Sequence, residues 1–233
     1  GERGRASDGG YAQYALLPDE QVYPVSTSLP WEQLAAVPET YYTAFGSLER
    51  LRIEDGDDVL VRGATSGVGV AFLRLVKALY PSCRVAGSTR SAQKGERLLG
   101  EGFDRCVVDD LNTLKTEDSF DAILDLVGPA AAQDTFAHIR PGGTVCITGL
   151  LGGQWTLDGF DPIVDTNGGC LTGFYSGDVD GEKLQALIST IEDRQIDVKP
   201  ERTFRLSEMR QAHAYLASRD SFGKAVAIPE FDE

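Results

Sequence analysis

Residues Val59–Gly69 read VLVRGATSGVG, an apolar run that breaks into a turn of small residues. In a βα unit such a turn lets the backbone come close to a phosphate, and the first N–H groups of the next helix point towards it. The positions that fit a relaxed Gly-x-Gly-x-x-Gly spacing are Ala64, Ser66 and Gly69, with Gly67 as a further small residue. Strand-to-helix turns are also rich in glycine for packing reasons, so three alternatives stay open here: a dinucleotide, another phosphate, or no ligand.

The chain beyond this turn alternates between segments with helical spacing and short apolar runs. Helical spacing is found in VGVAFLRLVKAL (68–79), AQKGERLLGEGF (92–103) and AAQDTFAHI (131–139). Strand-length runs are CRVAGS (83–88), DRCVVDD (104–110), FDAILDLVG (120–128), TVCITGLLG (144–152) and CLTGFY (170–175). Short strands that alternate with helices indicate crossover connections and a mostly parallel sheet covered on both faces. The sequence therefore predicts an α/β fold with a doubly wound parallel sheet.

The two flanks of this region have a different pattern. Residues 10–26 predict a strand and a turn, with no helix to cover them. Residues 201–228 predict strand, helix and strand, with Ser207 as the N-cap of the helix. The acidic clusters DGDD (55–58) and VVDD (107–110) lie at strand boundaries, where we interpret them as turns or solvated strand ends.

The composition disfavours several classes of partner. The 233 residues include 36 acidic and 22 basic side chains, for a formal net charge of −14. Such an acidic chain is not expected to bind nucleic acid or an anionic membrane surface. The longest apolar runs are too short to span a membrane, and the polar N-terminal residues do not resemble a signal peptide.

The cysteines and histidines do not form a metal-binding pattern. Cys83, Cys106, Cys146 and Cys170 show no CxxC pairing and lie mostly in apolar, strand-like segments. This pattern indicates buried free thiols in a reducing cytoplasm. The two histidines are far apart in sequence and have no ligand spacing with each other or with the cysteines. The sequence therefore predicts no metal site and a cytoplasmic location.

The strand after the turn carries the residues that would choose between the two nicotinamide dinucleotides. Ser88 follows Gly69 by roughly 20 residues, where an NAD site places an acidic side chain on the adenine ribose. This chain offers hydroxyls and cations there instead, namely Ser88, Thr89, Arg90, Ser91 and Lys94. Arg binds phosphate oxygens with a planar fork and Lys adds a point charge, so the pattern favours the 2′-phosphate of NADP(H). The alternative is that Arg90 and Lys94 are solvated charges, although cations at a helix start oppose the helix dipole unless an anion is present.

Seven segments carry a resemblance to a known family, in this order: GGYAQYALLP (9–18), AAVPETYYTAF (35–45), GATSGVG (63–69), GSTRS (87–91), DLVG (125–128), PGGTVCITGLLGG (141–153) and GKAVAI (223–228). Together they are similar to the quinone oxidoreductase branch of the medium-chain dehydrogenase/reductase superfamily. The resemblance covers nearly the whole chain, and it is specific as a set, although no single segment is. It implies a Rossmann dinucleotide-binding domain bracketed by remnants of a GroES-like β-barrel catalytic domain.

The resemblance implies a division into three segments. Residues 1–44 and 202–233 would belong to the catalytic domain, and residues 45–201 would form the dinucleotide-binding domain. Members of the family carry most of the catalytic domain ahead of the GGYAQY-type strand, so we expect this chain to be a fragment or a divergent short form. Relatives often form dimers edge to edge through the cofactor-domain sheet. CLTGFYSG (170–177) could provide such an edge for a homodimer, although a loop could equally protect it.

The resemblance also implies roles for single residues. The implied cofactor contacts are Thr43, Leu150, Phe174 and Tyr175 at the nicotinamide, Ser66, Gly67, Val68 and Gly69 at the pyrophosphate, Ser88, Arg90 and Lys94 at the 2′-phosphate with Thr89 beside them, and Val127 and Gly128 on the adenosine side. Core packing is the alternative for the apolar members of this set. Glu39 stands where zinc-dependent relatives have a cysteine ligand, and the four-cysteine zinc lobe is absent. Both departures imply the metal-free branch.

The activity implied by the resemblance is hydride transfer from NADPH to a quinone or an α,β-unsaturated carbonyl. A hydrogen-bond donor would stabilise the developing oxyanion, and water or a tyrosine would supply the proton. Tyr41 and Tyr42 are the nearest tyrosines, with packing as the alternative role of this pair. Two other functions stay open: a non-catalytic NADPH-binding module, and an enoyl reductase that acts on acyl thioesters.

Overall fold

The computed structural model describes Gly4 and residues 7–230, apart from the side chain of Ala92. A seven-stranded sheet lies at its centre, in the order β4-β3-β2-β1-β5-β6-β7. The strands are β1 (Asp58–Arg62), β2 (Arg84–Thr89), β3 (Arg105–Asp110), β4 (Thr113–Leu114), β5 (Phe120–Asp125), β6 (Ile139–Ile147) and β7 (Cys170–Gly173). Neighbouring strands are parallel, except that β3 and β4 are antiparallel.

Helices cover the sheet and connect its strands. They are α1 (Trp31–Leu34), α2 (Tyr42–Leu51), α3 (Gly67–Leu79), α4 (Ala92–Glu101), α5 (Ala132–Ala137), α6 (Gly181–Asp193) and α7 (Met209–Ala217). A π-helical turn, Val37–Tyr41, leads directly into α2, and 3-10 turns occupy Asp19–Gln21, Pro129–Ala131 and Leu206–Glu208. None of the helices in the described part of the chain is long and apolar enough to cross a membrane.

The order of the strands reverses beside β1. The chain proceeds from β1 to β2 and β3 on one side, and from β5 to β6 and β7 on the other. In doubly wound sheets, ligands bind outside the carboxyl ends of the strands where the order reverses. The turn after β1 and the loop after β5 meet at this point. The predicted α/β fold with a doubly wound, mostly parallel sheet is therefore confirmed.

Strand β1 is buried on both faces of the sheet. Its alternate residues point to opposite faces, and a hydrophobic core covers each face. Val59 and Val61 pack into the larger core, which contains residues of α2, α3 and α6, and Leu60 packs into the smaller core with Phe136 of α5. None of the three β1 residues has exposed surface. Burial of one such side chain contributes about 1.5–3 kcal/mol, so the strand that leads into the turn is firmly anchored.

The N-terminal flank differs from its prediction. Residues 10–26 contain the 3-10 turn Asp19–Gln21 and no strand, and residues 10–20 are exposed. A strand needs a neighbour for its backbone hydrogen bonds, and no described strand lies beside this segment. It contacts the C-terminal part of the molecule through side chains, for example through the hydrogen bond between Tyr11 Oη and His213 Nε2 (2.9 Å).

The C-terminal flank has the predicted strand, helix and strand. Strands β8 (Arg202–Arg205) and β9 (Ala225–Ile228) pair in parallel as a separate two-stranded sheet. Ser207 is not the N-cap of α7, because it lies in the preceding 3-10 turn and its hydroxyl donates to Glu230 Oε2 (2.6 Å). A GroES-like arrangement is not evident in residues 7–230. The predicted segment boundaries stay predictions, and residues 1–3, 5–6 and 231–233 of the outer segments lie outside the described residues.

Several residues of the acidic clusters and of the cysteine set differ in burial from their predictions. Asp58 and Asp109, each within a cluster interpreted as a turn or a solvated strand end, are only 3% and 4% exposed. Both have arginine partners, which permits their burial. All four cysteines are free thiols, as predicted. Cys83 and Cys146 are buried, whereas Cys106 is half-buried and Cys170 on β7 is exposed.

Candidate functional site

The turn after β1 brings the strand and the following helix unusually close together. Gly63 has φ of 82°, a backbone conformation that favours glycine. Ser66 caps α3, because its hydroxyl accepts a hydrogen bond from the N–H of Gly69 (3.1 Å). A Cβ atom on Gly69 would lie 2.6 Å from the carbonyl oxygen of Ala64, so only glycine fits without a shift of the backbone. The first N–H groups of α3 have no partner within the helix, and they form a potential anion site.

A second wall of this site comes from the C-terminal part of the chain. The N–H of Gly223 donates to the carbonyl oxygen of Thr65 (3.0 Å), and Gly223 forms an isolated bridge with Ser66. A Cβ atom on Gly67 would lie 3.3 Å from Thr40 Cγ2 and 3.4 Å from the Gly223 carbonyl oxygen. The segment GKAVAI predicts a terminal strand and carries part of the family resemblance, but its contact with the turn through Gly223 is not predictable, because no local pattern indicates a contact between distant segments.

The cations after β2 lack the carboxylate partners that most of the described basic side chains have. Arg90 is exposed and has no partner among the described residues. Lys94 donates to the carbonyl oxygen of Ser221 (2.7 Å). Burial lowers the pKa of Lys94, and the positive charges of Arg90 and Arg97 lower it further, while the negative charge of Asp220 acts in the opposite direction. Of these three cations, Arg97 is the one that forms an ion pair with a described carboxylate, that of Glu201. The pair Arg90 and Lys94 therefore carries positive charge that an anionic ligand would neutralise.

The hydroxyls of Ser88 and Thr89 do not project towards such a ligand. Ser88 is 1% exposed, and its hydroxyl accepts a hydrogen bond from the N–H of Gly63 (3.1 Å). Thr89 is 5% exposed, and its hydroxyl accepts one from the N–H of Ser91 (3.2 Å). These side chains hold the glycine turn and the entry to α4. Any direct contact with a phosphate is thereby left to Arg90, Lys94 and their surroundings.

The loops after β5 and β6 lie against each other at the carboxyl end of the sheet. The N–H of Gly152 donates to the carbonyl oxygen of Val127 (2.8 Å). Gly128 has φ of 89°, and a Cβ atom there would overlap the carbonyl oxygen of Gly149. Leu150 follows at once and is 36% exposed. The structure thus places Val127 and Gly128, predicted on the adenosine side, close to Leu150, predicted at the nicotinamide, and their cofactor contacts stay predictions.

Thr43, Phe174 and Tyr175 have different surroundings. Thr43 is 6% exposed, and its hydroxyl donates to the carbonyl oxygen of Glu39 (2.6 Å). The ring of Phe174 lies where a side chain on Gly46 would be and packs near Tyr42, with 5.9 Å between the ring centroids. Phe174 therefore has a packing role, which was the alternative to cofactor contact. Tyr175 is exposed. The predicted cofactor contacts of these three residues stay predictions.

Both tyrosines of the ETYYTAF segment are buried and hydrogen-bonded to backbone groups. Tyr41 is 3% exposed, and its hydroxyl donates to the carbonyl oxygen of Asp197 (2.8 Å). Burial raises the pKa of Tyr41, although Arg74 beside it acts in the opposite direction. Tyr42 is 1% exposed, and its hydroxyl accepts from the N–H of Asp180 (2.9 Å). The proton of the Tyr41 hydroxyl is thus engaged with a carbonyl oxygen, whereas the Tyr42 hydroxyl acts as an acceptor, and the predicted role of either tyrosine as a proton donor stays a prediction.

Glu39 stands where zinc-dependent relatives have a cysteine ligand, and its surroundings do not fit a zinc ion. Glu39 Oε2 pairs with Lys224 Nζ (2.9 Å) and accepts a hydrogen bond from the hydroxyl of Thr40 (2.9 Å). Burial would raise the pKa of Glu39, but Lys224 and Thr40 hold it below its usual value. No group of three or more His, Cys, Asp or Glu residues in the described part of the chain could hold a metal ion.

Comparisons with known proteins place this geometry in a family. The zinc-binding dehydrogenase family matches residues 102–226. A quinone oxidoreductase of Pongo abelii is 29% identical over 153 residues, which are 62% of this chain and 46% of that protein. An NADPH-dependent alkenal/one oxidoreductase, chloroplastic, of Arabidopsis thaliana is 26% identical over 227 residues, which are 95% of this chain and 53% of that protein.

A solved structure supports the same fold. A thermostable alcohol dehydrogenase from Pyrobaculum aerophilum superimposes with a TM-score of 0.78 at 25% identity, over 95% of this chain and 65% of that chain. The chain spans about half the length of the two curated relatives above. The match therefore covers the doubly wound sheet and its flanks rather than the whole of those proteins.

Proposed function

The chain belongs to the zinc-binding dehydrogenase family, in the quinone oxidoreductase branch of the medium-chain dehydrogenase/reductase superfamily, and on this premise we propose that it binds NADP(H). We further propose that it serves the zinc-independent reduction of a quinone or an α,β-unsaturated carbonyl. The single observation that carries the choice of cofactor is the pair Arg90 and Lys94, which has no carboxylate partner in the described part of a chain with net charge −14.

The residues of this chain would hold the cofactor in three places. Ser66–Gly69 would bind the pyrophosphate through the N–H groups of Gly67 and Val68, where the helix dipole favours negative charge, because the N–H groups of Ser66 and Gly69 already have partners within the turn. Arg90 and Lys94 would bind the 2′-phosphate. The hydroxyl of Ser88 would hold the glycine turn in place through the N–H of Gly63. Val127, Gly128 and Leu150 would line the remaining path. The absence of an acidic side chain after β2 favours the 2′-phosphate over a free ribose hydroxyl.

The chemistry of the reaction would come from the cofactor, which supplies hydride to an electrophilic carbon of the acceptor. The protein orients the reactants. Because the hydroxyls of Tyr41 and Tyr42 are engaged with backbone groups, we propose that water rather than either tyrosine protonates the product. The names of the two curated relatives support the two acceptor classes, a quinone and an alkenal or enone.

Location and assembly belong to the same proposal. We propose a cytoplasmic protein that forms a homodimer through β7, which is one of the two edge strands of the seven-stranded sheet. Cys170, Leu171 and Gly173 on this strand are exposed, and an exposed edge strand can pair with a second copy of itself. A sedimentation measurement of Leu171→Lys beside the wild type tests this, since a charge at the edge should shift the protein towards monomer.

The cofactor proposal is tested by calorimetric titration with NADPH and with NADH at one salt concentration. We expect NADPH to bind at least about tenfold more tightly, and Arg90→Ala to remove at least about 1.4 kcal/mol of this preference. Arg194→Ala, at the exposed arginine that follows α6 as its C-cap, is the matched control and should leave both affinities unchanged. Equal binding of the two cofactors would contradict the proposal.

The activity is tested separately, by NADPH oxidation with a quinone, an enone and an enoyl thioester. We expect turnover with the first or second and none with the thioester. Turnover confined to the thioester would favour an enoyl reductase. Tight NADPH binding without turnover would instead favour a non-catalytic binding module, because a site that holds a cofactor without orienting an acceptor does not accelerate the reaction.

A further inference from the structure

The largest fully buried side chain belongs to Arg62, the last residue of β1. It has no exposed surface, and its Nε and Nη2 atoms form a fork on Asp109 at the end of β3 (2.8 and 3.2 Å). Its Nη1 atom contacts Asp134 Oδ2 (2.9 Å), the carbonyl oxygen of Ala131 (3.1 Å) and the hydroxyl of Thr135 (2.7 Å). Buried ion pairs stabilise proteins little or not at all compared with apolar residues of similar volume. Stability alone therefore does not explain why a guanidinium occupies this position.

The hydrogen bonds of Arg62 continue to the loop after β5. The hydroxyl of Thr135 accepts from Arg62 and donates to Asp125 Oδ2 (2.6 Å). Because a guanidinium has donors only, the proton of this hydroxyl must point to Asp125, and the direction of the chain is fixed. Asp125 Oδ1 then accepts the N–H groups of Val127 (2.8 Å) and Gly128 (2.9 Å).

Asp125 also holds the loop after β6. Its main-chain carbonyl oxygen accepts the N–H groups of Thr148 (3.0 Å) and Gly149 (3.3 Å). Gly128 and Gly149 are closely packed, because a Cβ atom on Gly128 would overlap the carbonyl oxygen of Gly149. One buried residue thus sets the position of both loops that, in the proposed function, line the path of the cofactor.

We propose that Arg62, Thr135 and Asp125 are positioning residues, which hold the loops after β5 and β6 in the single conformation that receives the dinucleotide. This inference rests on the proposed function for the identity of the ligand. The fixing of the loops itself is a property of the free protein. Such fixing lowers the cost of ordering the site when the ligand binds.

The test compares two substitutions of Thr135, which is fully buried. Thr135→Val keeps the volume but removes the hydroxyl, so Arg62 and Asp125 each lose a partner. Thr135→Ser removes a methyl group but keeps the hydroxyl. The readouts are the amide hydrogen-exchange rates of Val127 and Gly128 in the free protein, and the affinity for NADPH.

We expect Thr135→Val to accelerate exchange at both amides by about tenfold or more and to weaken NADPH binding by about tenfold, which corresponds to about 1.4 kcal/mol. The amide of Leu60 in β1 should keep its wild-type rate. Thr135→Ser should stay within about twofold of the wild type in both readouts. A purely structural side chain would show the reverse order, because a lost methyl group in a packed core is costly.

The proposal is overturned if Thr135→Val exchanges and binds as the wild type does, or if Thr135→Ser is affected as strongly as Thr135→Val. If Thr135→Val does not fold, Asp125→Asn provides the same comparison. Its amide can still accept from Val127 and Gly128, but it no longer offers an acceptor to Thr135. If the wild type binds no NADPH, the proposed function fails, and the exchange rates alone then decide whether these residues hold the loops.

Discussion

Apart from the buried cluster around Arg62, the charged side chains at the amino and carboxyl ends of the strands, called here the two edges of the sheet, differ in their partners. At the amino ends of the strands, Asp58 accepts hydrogen bonds from Arg84 (2.7 Å) and Arg140 (3.0 Å), and Arg140 also pairs with Asp121. Each of these arginines has a carboxylate partner. At the carboxyl ends, Arg90 has no partner in the described part of the chain, and Lys94 has only a carbonyl oxygen.

We infer from this difference that the paired cations stabilise the fold, whereas the cations without a carboxylate partner are available to an anionic ligand. Paired charges at the starts of adjacent strands fix these strands relative to one another, and little binding energy is left for an anion. Cations without a carboxylate partner beside a helix start oppose the helix dipole, and an anion bound there would offset this repulsion. The comparison predicts that changes at the amino edge alter stability alone and that changes at the carboxyl edge alter NADPH affinity.

The largest effect is expected at the carboxyl edge, for the double variant Arg90→Ala, Lys94→Ala. Hydrogen bonds to charged groups contribute about 1.5–3 kcal/mol each, so the loss of both should weaken NADPH binding by about 3 kcal/mol, or more than 100-fold. NADH affinity and the urea midpoint should barely change. Titration calorimetry and urea unfolding check this, and an equal loss of NADH affinity would show that these residues do not recognise the 2′-phosphate.

The next effect in size is expected at the amino edge, for Asp58→Ala. The carboxylate is 4% exposed, and its loss leaves Arg84 and Arg140 without their shared partner. Removal of one member of a buried pair costs about 3–5 kcal/mol, and because these arginines reach solvent we expect about 2 kcal/mol here. Urea unfolding measures the change, with Asp58→Asn as the control of equal shape. A loss of NADPH affinity in Asp58→Ala would remove the distinction between the two edges.

A smaller effect distinguishes the edges by pH. The pKa of Lys94 is lowered by burial and by its cationic neighbours, and a bound phosphate would raise it, so binding takes up a proton. NADPH affinity should therefore fall as the pH rises from the lowered pKa of free Lys94 towards its value in the complex. Lys94→Gln should abolish this alkaline slope, which titrations at several pH values would show. A slope that persists in Lys94→Gln would assign it to another group.

The amino edge should respond to acid instead. Burial would raise the pKa of Asp121, but Arg140 and the N–H of Asp58 hold it below its usual value. A carboxylate whose pKa is lowered by folding adds stability above its unfolded pKa, and that stability is lost as the pH falls through the folded pKa. The free energy of unfolding of the wild type should therefore decrease in acid more than that of Asp121→Asn. Equal acid sensitivity of the two proteins would contradict the contribution of this pair.

The sequence predicted the local features of the carboxyl edge better than the long-range contacts at either edge, and the reason is the range of the interactions. The glycine turn and the cations after β2 are local patterns, and each keeps its meaning within a few residues. Arg62 finds Asp109 and Asp134 on other elements, and no spacing in the sequence indicates such a contact. The direction of the Ser88 hydroxyl was unpredictable for the same reason, since its partner is the N–H of Gly63 on the neighbouring strand's turn.

The smallest effect is expected for Arg84→Ala, again at the amino edge. The side chain of Arg84 is 66% exposed although its partner Asp58 is buried, and exposed ion pairs contribute about 0.2–1 kcal/mol. Asp58 also keeps Arg140 when Arg84 is removed. We therefore expect a loss of about 0.5 kcal/mol in urea unfolding and no change in NADPH affinity. A loss as large as that of Asp58→Ala would mean that Arg84 is the main partner of the buried carboxylate, and that exposure at this edge is a poor guide to the strength of a pair.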